Sequence, residues 1–291
     1  MLNRRHFLRS ATALAGVALA GSAARAETKK AKLRKAVKYT MVNIKGSIKD
    51  KFELLKKLGF EGVEINSPSN LDLDEANEAQ KATGIRIHGV IDAVHWNKPL
   101  SSPDEKVRAE GLEALKTAIK DAKKVGADTV LLVPGVVNKD VTYEQCWDRS
   151  QAEVQKALPL AEELGIRIAI ETVWNEFITK PEQLIEYVDS FKTPHVAAYF
   201  DCSNMIKYGV SSADWIRKLG GERLAKFDFK GYSKEKGFKV KIGEGDEDWP
   251  EILKALGEIG YDGWATAEVQ SGDEAWLKDV AERMNKVLGL M

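Results

Sequence analysis

Only two cysteines, Cys146 and Cys202, occur in 291 residues, and they share neither a CxxC nor a metal-knuckle spacing. That excludes a disulfide scaffold and a cysteine-built zinc motif. Cys146 falls in a helical stretch and Cys202 at a strand end, so separate thiols are expected. Histidine is nearly as scarce, with four in the chain. Net charge is missing too: 44 basic residues balance 44 acidic ones, leaving no general attraction for nucleic acid or an anionic lipid surface. No apolar run approaches the ~20 residues of a membrane-spanning helix, so no stable membrane insertion of the mature chain is expected. The glycine-rich GEGDEDW at 243–249 lacks the GxxxxGKS/T pattern of a nucleotide-binding P-loop.

The zero charge sums two segments with different fates. The chain opens MLNRRHFLRSATALAGVALAGSAARAETKK: a basic head with Arg4, Arg5 and Arg9, a mildly apolar run from Ala11 to Ala20, and small residues ending Ala24-Arg25-Ala26. This is the three-part layout of an exported precursor with a small-x-small cleavage site. The paired arginines before Phe7 and Leu8 resemble the twin-arginine signal. That implies delivery of a folded chain to the twin-arginine export machinery, cleavage near Ala26 and a periplasmic or otherwise exported mature protein. Residues 1–26 hold four arginines and no acid, so 40 basic against 44 acidic residues remain, a formal charge of −4. Residues 27–36 read as a basic, solvated leader, and the folded domain is expected to span 37–291.

Across that span β-branched runs alternate with helical patterns, and no linker long enough to divide two domains interrupts them. The spacing predicts strands at Val37–Val42, Gly62–Ile65, Ile85–Val90, Thr129–Val133, Arg167–Glu171, Val196–Asp201, Ala225–Phe229 and Gly263–Glu268. Between them apolar residues recur at three and four, as in Pro103–Val125, Tyr143–Leu164 and Asp273–Leu288. Several helices end at a glycine suited to the left-handed position after the last turn, as at Gly126 and Gly165. Eight strand–helix units point to a closed (β/α)8 TIM barrel rather than to a doubly wound sheet of about six strands. Chemistry should then sit at the carboxyl ends of the strands.

Four consecutive predicted strands supply an acid there. Glu171 closes the fifth in RIAIETVWNEF, Asp201 the sixth in HVAAYFDCSNM and Glu268 the eighth in GWATAEVQ, while Asp228 lies in the seventh in LAKFDFKGY. A closed barrel gathers these ends around one rim, where the four carboxylates would repel one another and raise each other's pKa. A divalent cation relieves that repulsion, and an all-oxygen donor set suits Mg2+ or Mn2+.

The chain resembles the sugar phosphate isomerase/epimerase family of xylose isomerase-like barrels. The resemblance covers nearly all of residues 37–291 and is strongest in IETVWNEF, AYFDCSNM, KFDFKGY, GEGDEDW and GYDGWATAEV. It implies a divalent metal held by Glu, Asp, His and Glu at the ends of strands five to eight, with the two glutamates as the acid/base pair. Glu171, Asp201 and Glu268 fall on the matching positions, so Glu171 and Glu268 are the catalytic candidates. The third ligand departs: the usual His-x-Lys-Asp is Asp228-Phe229-Lys230-Gly231 here, leaving Asp228 as an oxygen donor. The mature chain's three histidines also argue against the multi-zinc endonuclease branch of the superfamily.

Further contacts follow in chain order. Glu64 after the second strand either binds a sugar hydroxyl or forms a strand-end salt bridge, and His88 in the third either moves a proton or sits in the core. His95 and Trp96 occupy the next loop, where a polar edge and an aromatic plate suit a carbohydrate. The resemblance puts Trp174 and Asn175 in the substrate wall and Asn204 where relatives often carry a substrate-facing histidine. Lys230 shares a strand face with Asp228 and can meet an anionic or enolate oxygen. The expected function is a metal-dependent isomerase or epimerase acting on a sugar or keto-sugar by proton transfer beside a carbonyl. Its rivals are a metal-dependent lyase of a keto-glycoside and a secreted, non-catalytic carbohydrate-binding barrel. A homo-oligomer is compatible with the composition, though no interface pattern marks one.

Overall fold

The computed structural model describes residues 30–290; the expected signal at 1–26 lies outside the described residues. The elements run β1 (Lys32–Lys38), α1 (Ile48–Lys57), β2 (Gly62–Ser67), α2 (Leu73–Thr83), β3 (Arg86–Asp92), α3 (Glu105–Val125), β4 (Thr129–Leu132), α4 (Tyr143–Leu164) and β5 (Arg167–Glu171). They continue α5 (Pro181–Asp189), β6 (Val196–Asp201), α6 (Cys202–Met205), α7 (Ser212–Arg223), β7 (Leu224–Phe229), α8 (Trp249–Glu258), β8 (Asp262–Ala267) and α9 (Glu274–Leu288). Strand order is sequential and the barrel closes by parallel pairing of β1 with β8. The expected (β/α)8 barrel is the observed fold.

Strands of a parallel barrel are covered on both faces, which is why β4, β6 and β7 are buried along their whole length. The main core fills the layer between sheet and helices, with Phe52, Ile119, Val154, Trp215, Leu256 and Met284 within it. Inside the barrel the apolar packing is smaller: Leu131, Ala169, Ala197, Tyr199 and Ala225. Small side chains there leave room for a buried polar column that includes Lys38, Glu64, His88, Lys226, Asp228 and Thr266.

Two boundaries differ from the sequence reading. The expected leader at 27–36 overlaps β1, because Lys32–Ala36 already pair with Asp262–Thr266 of β8. Lys32, Arg34, Ala36 and Lys38 share one strand face that is exposed at the amino end of β1 and buried toward its carboxyl end, and the run of lysines masked that gradient. The chain then leaves the sheet at Tyr39–Met41 as a 3-10 turn instead of continuing to Val42. In α3, Asp104 caps the first turn by accepting from the Lys106 N–H, so Pro103 precedes the helix and does not open it. Pro181 does occupy the first turn of α5. Gly126 and Gly165 end α3 and α4 with φ of 75° and 68°, the left-handed geometry expected of them. Both cysteines are free and buried. Among the described residues no helix is long and apolar enough to cross a membrane.

Candidate active site

The four acids meet. One carboxylate oxygen from each of Glu171, Asp201, Asp228 and Glu268 lies within 4.8 Å of the others. Strand register does this: β6 and β7 pair so that Asp201 stands opposite Asp228, while Glu171 ends β5 and Glu268 follows the last residue of β8. Asp201 and Asp228 are each anchored through one oxygen, Asp201 Oδ1 accepting from the Asn204 N–H at 2.8 Å and Asp228 Oδ1 from the Phe229 N–H at 2.9 Å. Their other oxygens, both buried, receive no well-aligned hydrogen bond. Anchored carboxylates whose second, desolvated oxygens have only lysine ammonium groups as partners still lack full compensation among four acids, and oxygen donors of this kind are what a hard divalent cation takes, so the residues present fit such an ion.

Two ammonium groups flank the acids. Lys230 Nζ, from the end of β7, lies 3.1 Å from Asp201 Oδ2 and also pairs with Glu268. Lys38 Nζ, from the end of β1, lies 2.8 Å from Asp228 Oδ2 and 2.9 Å from Glu64 Oε2, and all three side chains are buried. Burial alone would lower the Lys38 pKa, but Asp228 and Glu64 outweigh it and hold it well above its ordinary value. The two glutamates separate. Burial, then the Glu268 charge, pushes Glu171 well above the usual carboxylate range. Burial acts the same way on Glu268, but Lys230 and Lys38 overcome it and hold Glu268 down to about 2.

Above the acids is a mouth of about 250 Å³ lined by Trp96, Glu171, Trp174, Asn204, Lys230 and Glu268, with Phe238 at its edge. Three of the four exposed large apolar side chains among the described residues, Trp96, Trp174 and Phe238, stand around it. Trp174 is fixed by its Nε1–H donating to the Asn204 carbonyl at 2.7 Å, and its ring lies 5.0 Å from that of Phe238. On the other side of Glu268 a hollow of about 310 Å³ is lined by Lys38, Asn66, Asp92, His95 and Trp96. His95 is buried there, its Nδ1 accepting from the Val133 N–H at 3.3 Å, and burial followed by the Lys38 charge lowers its pKa to about 4. It is therefore a neutral ring at ordinary pH.

Three expected substrate contacts lie elsewhere. His88 sits deep in the barrel, its ring stacked on Trp264 with centroids 4.4 Å apart. It faces a cavity of about 690 Å³ ringed by Arg34, Arg86 and Arg167 at the amino ends of the strands, and none of the four acids lines it. Asn175 spends its amide on the chain: Nδ2 donates to the Gly135 carbonyl at 3.0 Å, and Oδ1 accepts from the Phe177 and Ile178 N–H groups. It shapes the loop after β5 and is 1% exposed. Glu64 takes the ionic alternative, paired to Lys38 beneath the rim.

The sequence reading missed Lys38, Phe238 and Glu247. Lys38, in the first predicted strand, was masked by the leader lysines just before it. Phe238 belongs to a loop with no periodic signal. Glu247, in GEGDEDW, is buried and ties the two ends of the loop after β7 to each other and to α6, accepting from Ser203 Oγ–H at 2.7 Å and from the Tyr232 N–H at 2.8 Å. Only its place in a glycine-flanked acidic run pointed to it. Gly231, the departure from the expected acid, has a steric cause: a Cβ there would lie 2.5 Å from the carbonyl oxygens of Val240 and Lys241. The loop after β7 folds back onto that position.

A sequential eight-stranded barrel with acids from β5 to β8 converging at its carboxyl end defines a class of barrels built for chemistry at that mouth. The sequence matches the family described as Xylose isomerase-like TIM barrel over residues 52–287, and the chain belongs to that family. It is 26% identical over 261 residues to an L-ribulose-5-phosphate 3-epimerase of Escherichia coli, an alignment covering 81% of this chain and 90% of the relative. Among solved structures it is similar to the 3-keto-D-glucoside 4-epimerase of E. coli, with a TM-score of 0.75, 16% identity, and 88% and 99% of the two chains covered. It is also similar to the D-psicose 3-epimerase of Clostridium cellulolyticum H10, with a TM-score of 0.70, 20% identity, and 89% and 98% covered.

Proposed function

We propose that the protein is a divalent-metal-dependent epimerase or isomerase that moves a proton at the carbon beside the carbonyl of a sugar or keto-sugar. The observation that carries this is the convergence of Glu171, Asp201, Asp228 and Glu268 within 4.8 Å beneath an aromatic mouth. The epimerase relative at 26% identity and the two epimerases of like fold support it. A cation held by those four acids, Mg2+ or Mn2+ by the chemistry of an all-oxygen set, supplies polarisation of the carbonyl and compensation for the charge that develops on it.

The chain's own groups divide the remaining work. Glu268, held ionised by Lys230 and Lys38, is able to take a proton. Glu171, which lines the same mouth, is placed to return one. Return of the proton to the opposite face of the same carbon gives epimerisation, and return to the neighbouring carbon gives isomerisation. The Lys230 ammonium stands where negative charge on a substrate oxygen is stabilised. Trp96, Trp174 and Phe238 supply apolar faces against the sugar's C–H groups and exclude water.

Metal analysis joined to a sugar-conversion screen tests this. About one Mn2+ or Mg2+ per chain is expected, with conversion of a keto-sugar lost on chelation and regained when the ion is restored. Conversion that survives a chelator sinks the metal mechanism. From residues 1–26 alone we also propose export by the twin-arginine route, which predicts a mature chain beginning near Glu27 in the periplasmic fraction.

A further inference from the structure

The mouth above the acids is small, about 250 Å³, whereas sites for drug-sized ligands run to ~300–1,000 Å³. It does not stand alone. A second cavity of about 650 Å³ shares Lys230, Phe238 and Glu268 with it and runs between the loop after β7 and the helix α9. Its distinctive lining is apolar: Val240, Ile242, Val269, Trp276 and Val280. Phe238 stands on the partition, its ring packed 5.0 Å from both Trp174 and Tyr232.

The charges decide what this cavity takes. In barrels that bind phosphorylated substrates, the loops after strands seven and eight are the frequent phosphate site. Here that region contains cations, but they are engaged. Lys241 Nζ is 2.9 Å from Asp279, and Arg283 is 3.0 Å from Asp279 and 2.8 Å from Glu244. Lys230 is held between Asp201 and Glu268. Of the lining residues, only Lys239, on the exposed loop, is a cation with no ion pair among the described residues. A phosphate would have to displace buried or paired carboxylates, while an uncharged apolar group would meet ready-made walls.

We propose that the substrate is a glycoside: the keto-sugar ring lies in the mouth beside Glu171 and Glu268, and an uncharged aryl aglycone on its anomeric carbon lies in the second cavity, with Phe238 between them. The assignment rests on the proposed function for the location of the reacting ring. Phe238 is then a specificity residue and the loop after β7 a specificity loop.

Calorimetric titration of the metal-supplemented protein with 4-nitrophenyl glucoside, methyl glucoside and fructose 6-phosphate tests it. Burying an aryl ring predicts that the nitrophenyl glycoside binds about tenfold or more tightly than the methyl glycoside, and more tightly than the phosphate ester. Val240→Trp fills the cavity from a half-buried loop position and should abolish that advantage; Trp276→Ala, which removes part of the wall, should reduce it, with thermal melts reporting whether either variant still folds. Equal binding of the two glycosides, preference for the phosphate ester, or an aryl advantage untouched by Val240→Trp would each overturn the proposal. Chelator-sensitive conversion of a free keto-hexose without an aryl preference would remove this inference and leave the proposed function standing. An aryl preference in a protein that takes up no metal and converts no sugar would do the reverse.

Discussion

At the scale of single residues, the site is a balance of buried charge, and two replacements separate catalysis from support. Glu171→Gln and Glu268→Gln keep the side-chain volume but remove the exchangeable carboxylate, so each should lower kcat by ~10²–10⁴ with a much smaller change in KM. Steady-state kinetics on a converted keto-sugar checks this, and near-normal kcat in either variant would take that glutamate out of proton transfer. Lys38 has a different task. It neutralises Glu64 and Asp228 in a region where all three side chains are at most 4% exposed. Lys38→Met leaves two uncompensated buried carboxylates, and removing one partner of such a set costs roughly 3–5 kcal/mol. Urea unfolding measures it, and a loss under about 1 kcal/mol would mean that water reaches the column. The acids were legible because strand-end position is a matter of spacing. Lys38 was not, because its role depends on which way a β1 side chain points, and a run of like charges conceals that direction.

At the scale of elements, all eight strands could be read from β-branched runs and nearly all helix ends from caps and glycines. What escaped was loop geometry, which is set by contacts between segments far apart in sequence. Asn175 looked like a wall residue because it follows Glu171 and Trp174, yet its amide closes hydrogen bonds to Gly135, Phe177 and Ile178. His88 could be read from its strand either as a proton carrier or as a core residue; its depth in the strand sets it among the stacked residues at the barrel's amino end, the second of these. Gly231 shows the same limit in reverse, since the missing acid read as a chemical loss and is a packing requirement. Its Cβ would meet two carbonyl oxygens at 2.5 Å, so Gly231→Ala should push the 240–241 stretch off the barrel and cost ~1–3 kcal/mol. A lowered Tm relative to the parent is the expected reading, and an unchanged Tm would show that the loop yields without strain.

At the scale of the whole molecule, the charge balance becomes a pH dependence whose sign can be worked out. Burial raises Asp92 to about 7 against a backbone hydrogen bond from Val94, and raises Glu247 to about 7 against hydrogen bonds from Ser203 and Tyr232. Both acids hold their protons more tightly folded than unfolded. Their contribution is therefore complete below the unfolded carboxylate range near pH 4, declines as pH rises toward 7, and changes no further above it. Each can contribute on the order of 3 kcal/mol across that window. Glu268 has the opposite sign: its folded pKa of about 2 adds stability above the unfolded value that is lost as pH falls from about 4.5 toward 2. His95 opposes the two acids between pH 6.5 and 4, because its folded pKa of about 4 adds stability at neutral pH that is lost as pH falls through that window. Urea midpoints of the chelator-treated parent and of a variant without the two raised acids, measured from pH 3 to 8, separate these contributions. The Asp92→Asn, Glu247→Gln double variant should gain stability relative to the parent as pH rises from 4 to 7, while the acid limb set by Glu268 stays in place. A parent-to-variant difference that stays constant from pH 4 to 7 would show that water solvates these two carboxylates, and that the loop after β7 is held to α6 by something other than the burial of Glu247.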